Sequence, residues 1–141
     1  MGTEGWRWTS VQASYIDLKL DNRPTATTDL RAAVDRVAKE CGLDAGERFD
    51  LKLAATEAVT NALKGKPRSH TVEVTLAGHD DAVDVEVVDR GVVFSPVHAP
   101  VQRGLDAEGG RGIPLMLALV DEVEFAQGGG ETRVRLRKRA A

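Results

Sequence analysis

Residues 71–89 read TVEVTLAG, then HDD, then AVDVEVVD. Apolar residues recur at every second position of both runs, the repeat of a strand that buries one face and turns the other outward. Two such strands joined by so short a polar link pair antiparallel, as a hairpin. The apolar face needs a cover that the strands cannot supply, so helices must lie against one side. Glu73, Asp84 and Glu86 fall on the opposite side, which is expected to be solvated or to face a partner.

The cover is legible upstream. Leu30, Val34, Val37 and Cys41 stand at helical spacing, with Thr27, Thr28 or Asp29 as candidate caps and Gly42 suited to the left-handed position past the end. A second helix follows DAGE, where Asp44 and Glu47 match a capping box. Its apolar positions are Phe49, Leu53, Ala54, Ala58, Val59, Ala62 and Leu63, and Gly65 with Pro67 ends it. Before both helices, ASYIDLKLD alternates as a strand that Asn22, Arg23 and Pro24 stop. Downstream, GIPLMLALVDEV reads as a helix with Pro114 in its first turn, and VEFAQGGGETRVRLRKR as a closing hairpin around its glycines. Arg133, Arg135 and Arg137 alternate with Val134 and Leu136, so they are expected on one exposed strand face. The stretch from Gly91 to Gly112 has little periodicity and is too long for a plain connection, as lids often are. This order predicts an α/β two-layer sandwich, an antiparallel or mixed sheet with helices on one face. A chain of 141 residues fits one such domain, over 12–141, after an irregular segment 1–11.

Composition narrows the functions. A net charge of -3 speaks against direct nucleic-acid binding, which shows as a basic excess. No apolar run is long enough for a bilayer and the first residues lack the apolar middle of a signal peptide, so the expected location is cytoplasmic. Cys41 is the single cysteine and is expected to serve as a small buried hydrophobe. His70, His79 and His98 lack metal-ligand spacing and are expected in solvated loops.

Candidate chemistry begins at TEAVTNAL, residues 56–63. Glu57 and Asn61 are four apart and share a helix face. An amide oxygen suits Mg²⁺, which takes most of its other oxygens from water and phosphates, and a carboxylate one turn away suits proton abstraction from an attacking hydroxyl. Asp89 closes a hydrophobic strand just before Gly91, so a carboxylate able to accept from an adenine amino group sits near a residue that lets a flat base approach the backbone. Gly109, Gly110 and Gly112 precede a helix, whose bare amides and positive dipole end can cradle phosphate. Gly130 and Thr132 stand at the entrance to the last strand.

In this order the four elements resemble the N, G1, G2 and G3 boxes of the GHKL, or Bergerat-fold, ATPases. EAVTNA and GGRGIPLM in particular resemble the anti-sigma factor serine kinases of bacteria, over about residues 12–138. The resemblance implies ATP and Mg²⁺ as cofactors, with Asn61 as the metal ligand and Glu57 as the base that activates an acceptor serine. It implies Asp89 for adenine, Gly91 beside the base, Gly110 and Gly112 under the phosphates, Thr132 near the adenine pocket, and Arg31 as a partner contact. It further implies an anti-sigma factor that binds a sigma factor and phosphorylates a STAS-type antagonist, in stress-responsive control of transcription, with homodimerisation common. Val93 stands where the second glycine of the G1 box belongs, and Gly65 where many members carry a histidine. The alternative is therefore a pseudokinase, a regulatory binding module of the same fold with little phosphotransfer.

Overall fold

The structure is a computed structural model and describes residues 14–90 and 112–141. Its elements run β1 (Ser14–Asp21), α1 (Thr25–Glu40), α2 (Ala45–Leu63), β2 (Thr71–Gly78), β3 (Ala82–Arg90), α3 (Gly112–Leu119), β4 (Glu122–Gly128) and β5 (Glu131–Arg139). The strands form one five-stranded sheet in the order β1-β2-β3-β5-β4, and each neighbouring pair is antiparallel. The expected two-layer α/β sandwich is what the chain forms.

Register explains the core. Leu76 lies opposite Ile16 and Val85, and Val85 opposite Leu136, which lies opposite Val123. Val72, Val74, Val83 and Val87 belong to the same face and are buried. Against it pack Leu30, Val34 and Val37 of α1 and Leu51, Ala54, Ala55, Ala58 and Val59 of α2. The run of alanines in α2 lets that helix approach closely enough to contact α1, the sheet and α3.

Helix ends differ in how well their signals are obeyed. Asp44 accepts from the Glu47 amide and the Glu47 side chain accepts from the Asp44 amide, both at 2.8 Å, so the capping box forms. The helix α1, however, starts at Thr25, with Pro24 in the capping position and no side-chain cap. Pro24 lacks an amide and has a fixed φ suited to a helix start, so the turn closes before Thr27, whose hydroxyl donates back to the Pro24 carbonyl at 3.2 Å. Phe49 and Leu53, expected in the core, are 55% and 39% exposed, and Leu51 takes the buried position instead. The third helix ends at Leu119, because Glu122 and Val123 are drawn into β4 by pairing with Arg137 and Leu136.

The outer face of the sheet departs furthest from expectation. Asp84, Glu86 and the arginines of β5 are neither solvated nor free, since pairing places acids of β3 opposite bases of β5. Arg137 donates from Nε to Asp84 Oδ1 at 2.6 Å and from Nη2 to Oδ2 at 2.7 Å, and Asp84 is buried. Glu86 accepts from Arg133 at 2.9 Å and from Arg135 at 2.8 Å. Arg135 also reaches Glu124, and Arg133 reaches Glu131. The hydrogen bonds to Asp84 raise the Arg137 pKa despite burial. For Arg133, burial acts against the charge and the hydrogen bonds of Glu86 and Glu131 outweigh it, so the net direction is also upward. Alternating charge across three strands thus turns an ostensibly basic strand into a locked ladder.

Two histidines lie in loops as expected but are not solvated there. His79 is buried, with Nε2 2.8 Å from Asp84 Oδ2, and His70 pairs with Asp89. His98 lies outside the described residues. Cys41 is buried as expected. Burial, followed by the neighbouring Glu40 charge, raises its thiol pKa, while a backbone hydrogen bond from His79 acts the other way.

Candidate nucleotide site

Glu57 and Asn61 lie on the half-buried side of α2, one turn apart, between the core residues Ala58 and Val59 and solvent. Neither side chain has a hydrogen bond or ion pair among the described residues, although their neighbours Lys52 and Lys66 do. An acid and an amide held in a half-buried position, with no partner for their oxygens among the described residues, form a donor set that fits a cation and a hydroxyl.

The strand end that carries Asp89 meets the C-terminal turn of α2. Lys66 Nζ donates to the Ala62 carbonyl and to Asp89 Oδ2, both at 3.1 Å, so one ammonium group spans the gap between the helix bearing Asn61 and the carboxylate. Asp89 is 4% exposed. Its direct cross-strand partner is Thr132 on β5, which places hydroxyl and carboxylate side by side on the helix-covered face. Gly112 opens α3, and α3 packs against α2.

The fold therefore brings Asp89, with Thr132 across from it, to the end of the helix that carries Asn61 and, one turn up, Glu57. Arg31 is exposed on α1 and does not join them. Gly91, Val93 and Gly110, with most of the stretch expected to form a lid, lie outside the described residues. Three residues that the sequence did not single out adjoin this candidate site: Lys66 and His70, which contact Asp89, and Asn22, which binds the segment carrying them. Lys66 and Asn22 stand in stretches that read only as terminators, and His70 carried no spacing signal. Only the return of the chain beside β3 brings them together.

The chain as a whole is similar to known proteins. The family of histidine kinase-like ATPase domains matches over residues 20–138. The serine-protein kinase RsbW of Bacillus subtilis is 30% identical, with 85% of this chain and 82% of that one covered. This chain belongs to that serine-protein kinase family, within the histidine kinase-like ATPases. RsbW of Bacillus pumilus is 33% identical, covering 83% and 81% of the two chains. Among solved structures, the RsbU and RsbW domains of Rv1364c from Mycobacterium tuberculosis superpose with a TM-score of 0.66 at 25% identity, over 89% of this chain and 32% of that longer one. The SiaB–SiaC complex of Pseudomonas aeruginosa gives a TM-score of 0.59 at 14% identity, over 87% and 88% of the chains, a likeness of fold. The Bergerat-type fold and the protein-serine kinase family expected from EAVTNA and GGRGIPLM are thus borne out, and with them an ATP-using domain. Among the described residues, no helix is long and apolar enough to cross a membrane.

Proposed function

We propose that this chain is a cytoplasmic anti-sigma factor that uses Mg²⁺ and ATP to phosphorylate a STAS-type antagonist on serine, with residues 12–141 as its one domain. The observation that carries the reading is the Glu57–Asn61 pair, without partners among the described residues and set on the helix whose end meets Asp89. Magnesium ATP, when bound, would supply the transferable phosphoryl group and neutralise charge around it. Asn61 would hold the cation through its amide oxygen. Glu57 would take the proton of the acceptor hydroxyl, and its place one turn from Asn61 keeps base and metal ligand on one face. Asp89 would accept from the amino group of the base, with Thr132 beside it. The backbone of Gly91, Gly110 and Gly112 would lie along the base and phosphates, and Arg31 would contact the protein partner. By similarity to the RsbW kinases, the partners would be a sigma factor and its antagonist, exchanged according to bound nucleotide, with the kinase as a homodimer.

The test is ATP binding and phosphate transfer to a STAS-domain partner by the wild type, Glu57→Ala and Asn61→Ala, with and without Mg²⁺. Asn61→Ala is expected to weaken magnesium-dependent binding, whereas Glu57→Ala keeps binding and loses transfer by about 10²–10⁴-fold, the usual contribution of a positioned base. Binding without transfer by the wild type would make the chain a pseudokinase adaptor. Absence of ATP binding would refute the nucleotide site altogether.

A further inference from the structure

Both oxygens of Asp89 already have partners from this chain. His70 Nε2 lies 2.6 Å from Oδ1, and Lys66 Nζ lies 3.1 Å from Oδ2. The Asp89 side chain is 5% exposed, while those of His70 and Lys66 are 19% and 32% exposed. A carboxylate has lone pairs for more than two donors, but one this covered leaves a third little surface to approach.

The two donors belong to one short segment, 64–70, between α2 and β2, and that segment is fastened at several points. Asn22 donates from Nδ2 to the carbonyls of Leu63 at 3.2 Å and Lys66 at 2.7 Å, and its amide donates to the Arg68 carbonyl at 3.3 Å. Within the segment, the Lys66 amide donates to Leu63 and the His70 amide to Pro67, both at 3.0 Å. Gly65, at a φ of 74°, supplies the left-handed step that turns the chain back off the helix. A loop tied this firmly delivers Lys66 and His70 to Asp89 by construction.

Building on the assignment of Asp89 to the nucleotide base, we infer that segment 64–70 is an internal occupant of the base site: Lys66 and His70 hold Asp89 while the site is empty and are exchanged for the purine amino group on binding. The exchange opposes nucleotide binding, because existing charge-assisted hydrogen bonds must be given up before the new one forms. Removing either donor leaves the buried carboxylate short of a partner, a costly state that an incoming amino group relieves. Lys66 and His70 therefore set nucleotide affinity without touching the phosphates, and Asn22 acts through them as a positioning residue.

The experiment uses the full chain, isotopically labelled so that the His70 imidazole can be followed by NMR, with ATP, adenosine and inorganic tripolyphosphate added in turn in the presence of Mg²⁺. ATP and adenosine are expected to shift the His70 ring signals, and tripolyphosphate to leave them in place. In calorimetry, His70→Ala and Lys66→Met are each expected to bind ATP about tenfold tighter than the wild type, the order set by one charge-assisted hydrogen bond no longer sacrificed. Unmoved His70 signals in a wild type that binds ATP, or variants that bind ATP no tighter, overturn the inference and leave the kinase reading standing. If neither the wild type nor the variants bind ATP or adenosine, the base-site assignment fails and takes the inference with it.

Discussion

Replacing Asp84 by alanine separates two accounts of the outer sheet face. As the polar residue of an alternating strand it would be solvated, and its loss would change stability by no more than about 0.5 kcal/mol. The structure instead gives its carboxylate 1% exposure and three partners, Arg137 Nε at 2.6 Å, Arg137 Nη2 at 2.7 Å and His79 Nε2 at 2.8 Å. Breaking a buried ion pair from one side costs about 3–5 kcal/mol, because the remaining charge keeps its burial and loses its compensation. The Arg137 side chain is 16% exposed and also feels Glu122 and Glu124, so the lower end, about 3 kcal/mol, is expected. With a urea dependence of about 2 kcal/mol per molar, the unfolding midpoint of Asp84→Ala should fall by about 1.5 M. The control is Glu73→Ala, whose pair with Arg90 is 44% and 53% exposed and whose loss should cost about 0–1 kcal/mol. Combining Asp84→Leu with Arg137→Leu should cost less than the two single changes added together, since neither ion of that pair is left without the other. A midpoint shift for Asp84→Ala no larger than that of Glu73→Ala, or strict additivity in the double variant, would refute the buried-ladder account.

Two further outcomes probe the helix-to-sheet contact. A Cβ at Gly78 would stand 2.5 Å from Cys41 Sγ and 3.2 Å from both Ser14 Oγ and Val37 Cγ1, so Gly78→Ala should destabilise by about 1–3 kcal/mol in thermal unfolding. Adding Cys41→Ala should recover part of that loss, and a neutral Gly78→Ala would contradict the close approach. The raised Cys41 pKa means that the neutral thiol favours the folded state. That contribution is complete below the unfolded thiol value of about 8.5 and is lost as pH rises through the higher folded value. Stability should therefore decline on the alkaline side by a component that Cys41→Ala abolishes, and the native thiol at pH 8 should react with a disulfide reagent at least about tenfold more slowly than in urea. Equal rates in the two conditions would show that Cys41 is not protected.

Local chemistry carried much of the fold into view. The hairpin of β2 and β3, the capping box at Asp44 and the left-handed glycine after α1 each depend on a few neighbouring residues, and each forms as the sequence implies. Errors arose where a distant element decided the outcome. The line of Phe49 and Leu53 looked like core until packing gave Leu51 that place, and the end of α3 yielded Glu122 and Val123 to a strand ladder with β5.

For the site the division is similar. Glu57, Asn61, Asp89 and Thr132 could be named from the sequence because each stands in a short motif whose residue types suit one task. Their assembly could not be read there, since Asp89 and Thr132 are cross-strand neighbours only through the register of β3 on β5. Asn22, Lys66 and His70 carried no motif at all. Lys66 and His70 are held at Asp89 by hydrogen bonds between distant residues, such as that from Asn22 Nδ2 to the Lys66 carbonyl 44 positions away. By itself, the sequence determined periodicity, caps and the family to which the chain belongs, because these reside in short-range spacing and residue type. The tertiary structure alone decided which charges are buried and which carboxylate is already engaged, because desolvation and pairing depend on what long-range folding places nearby.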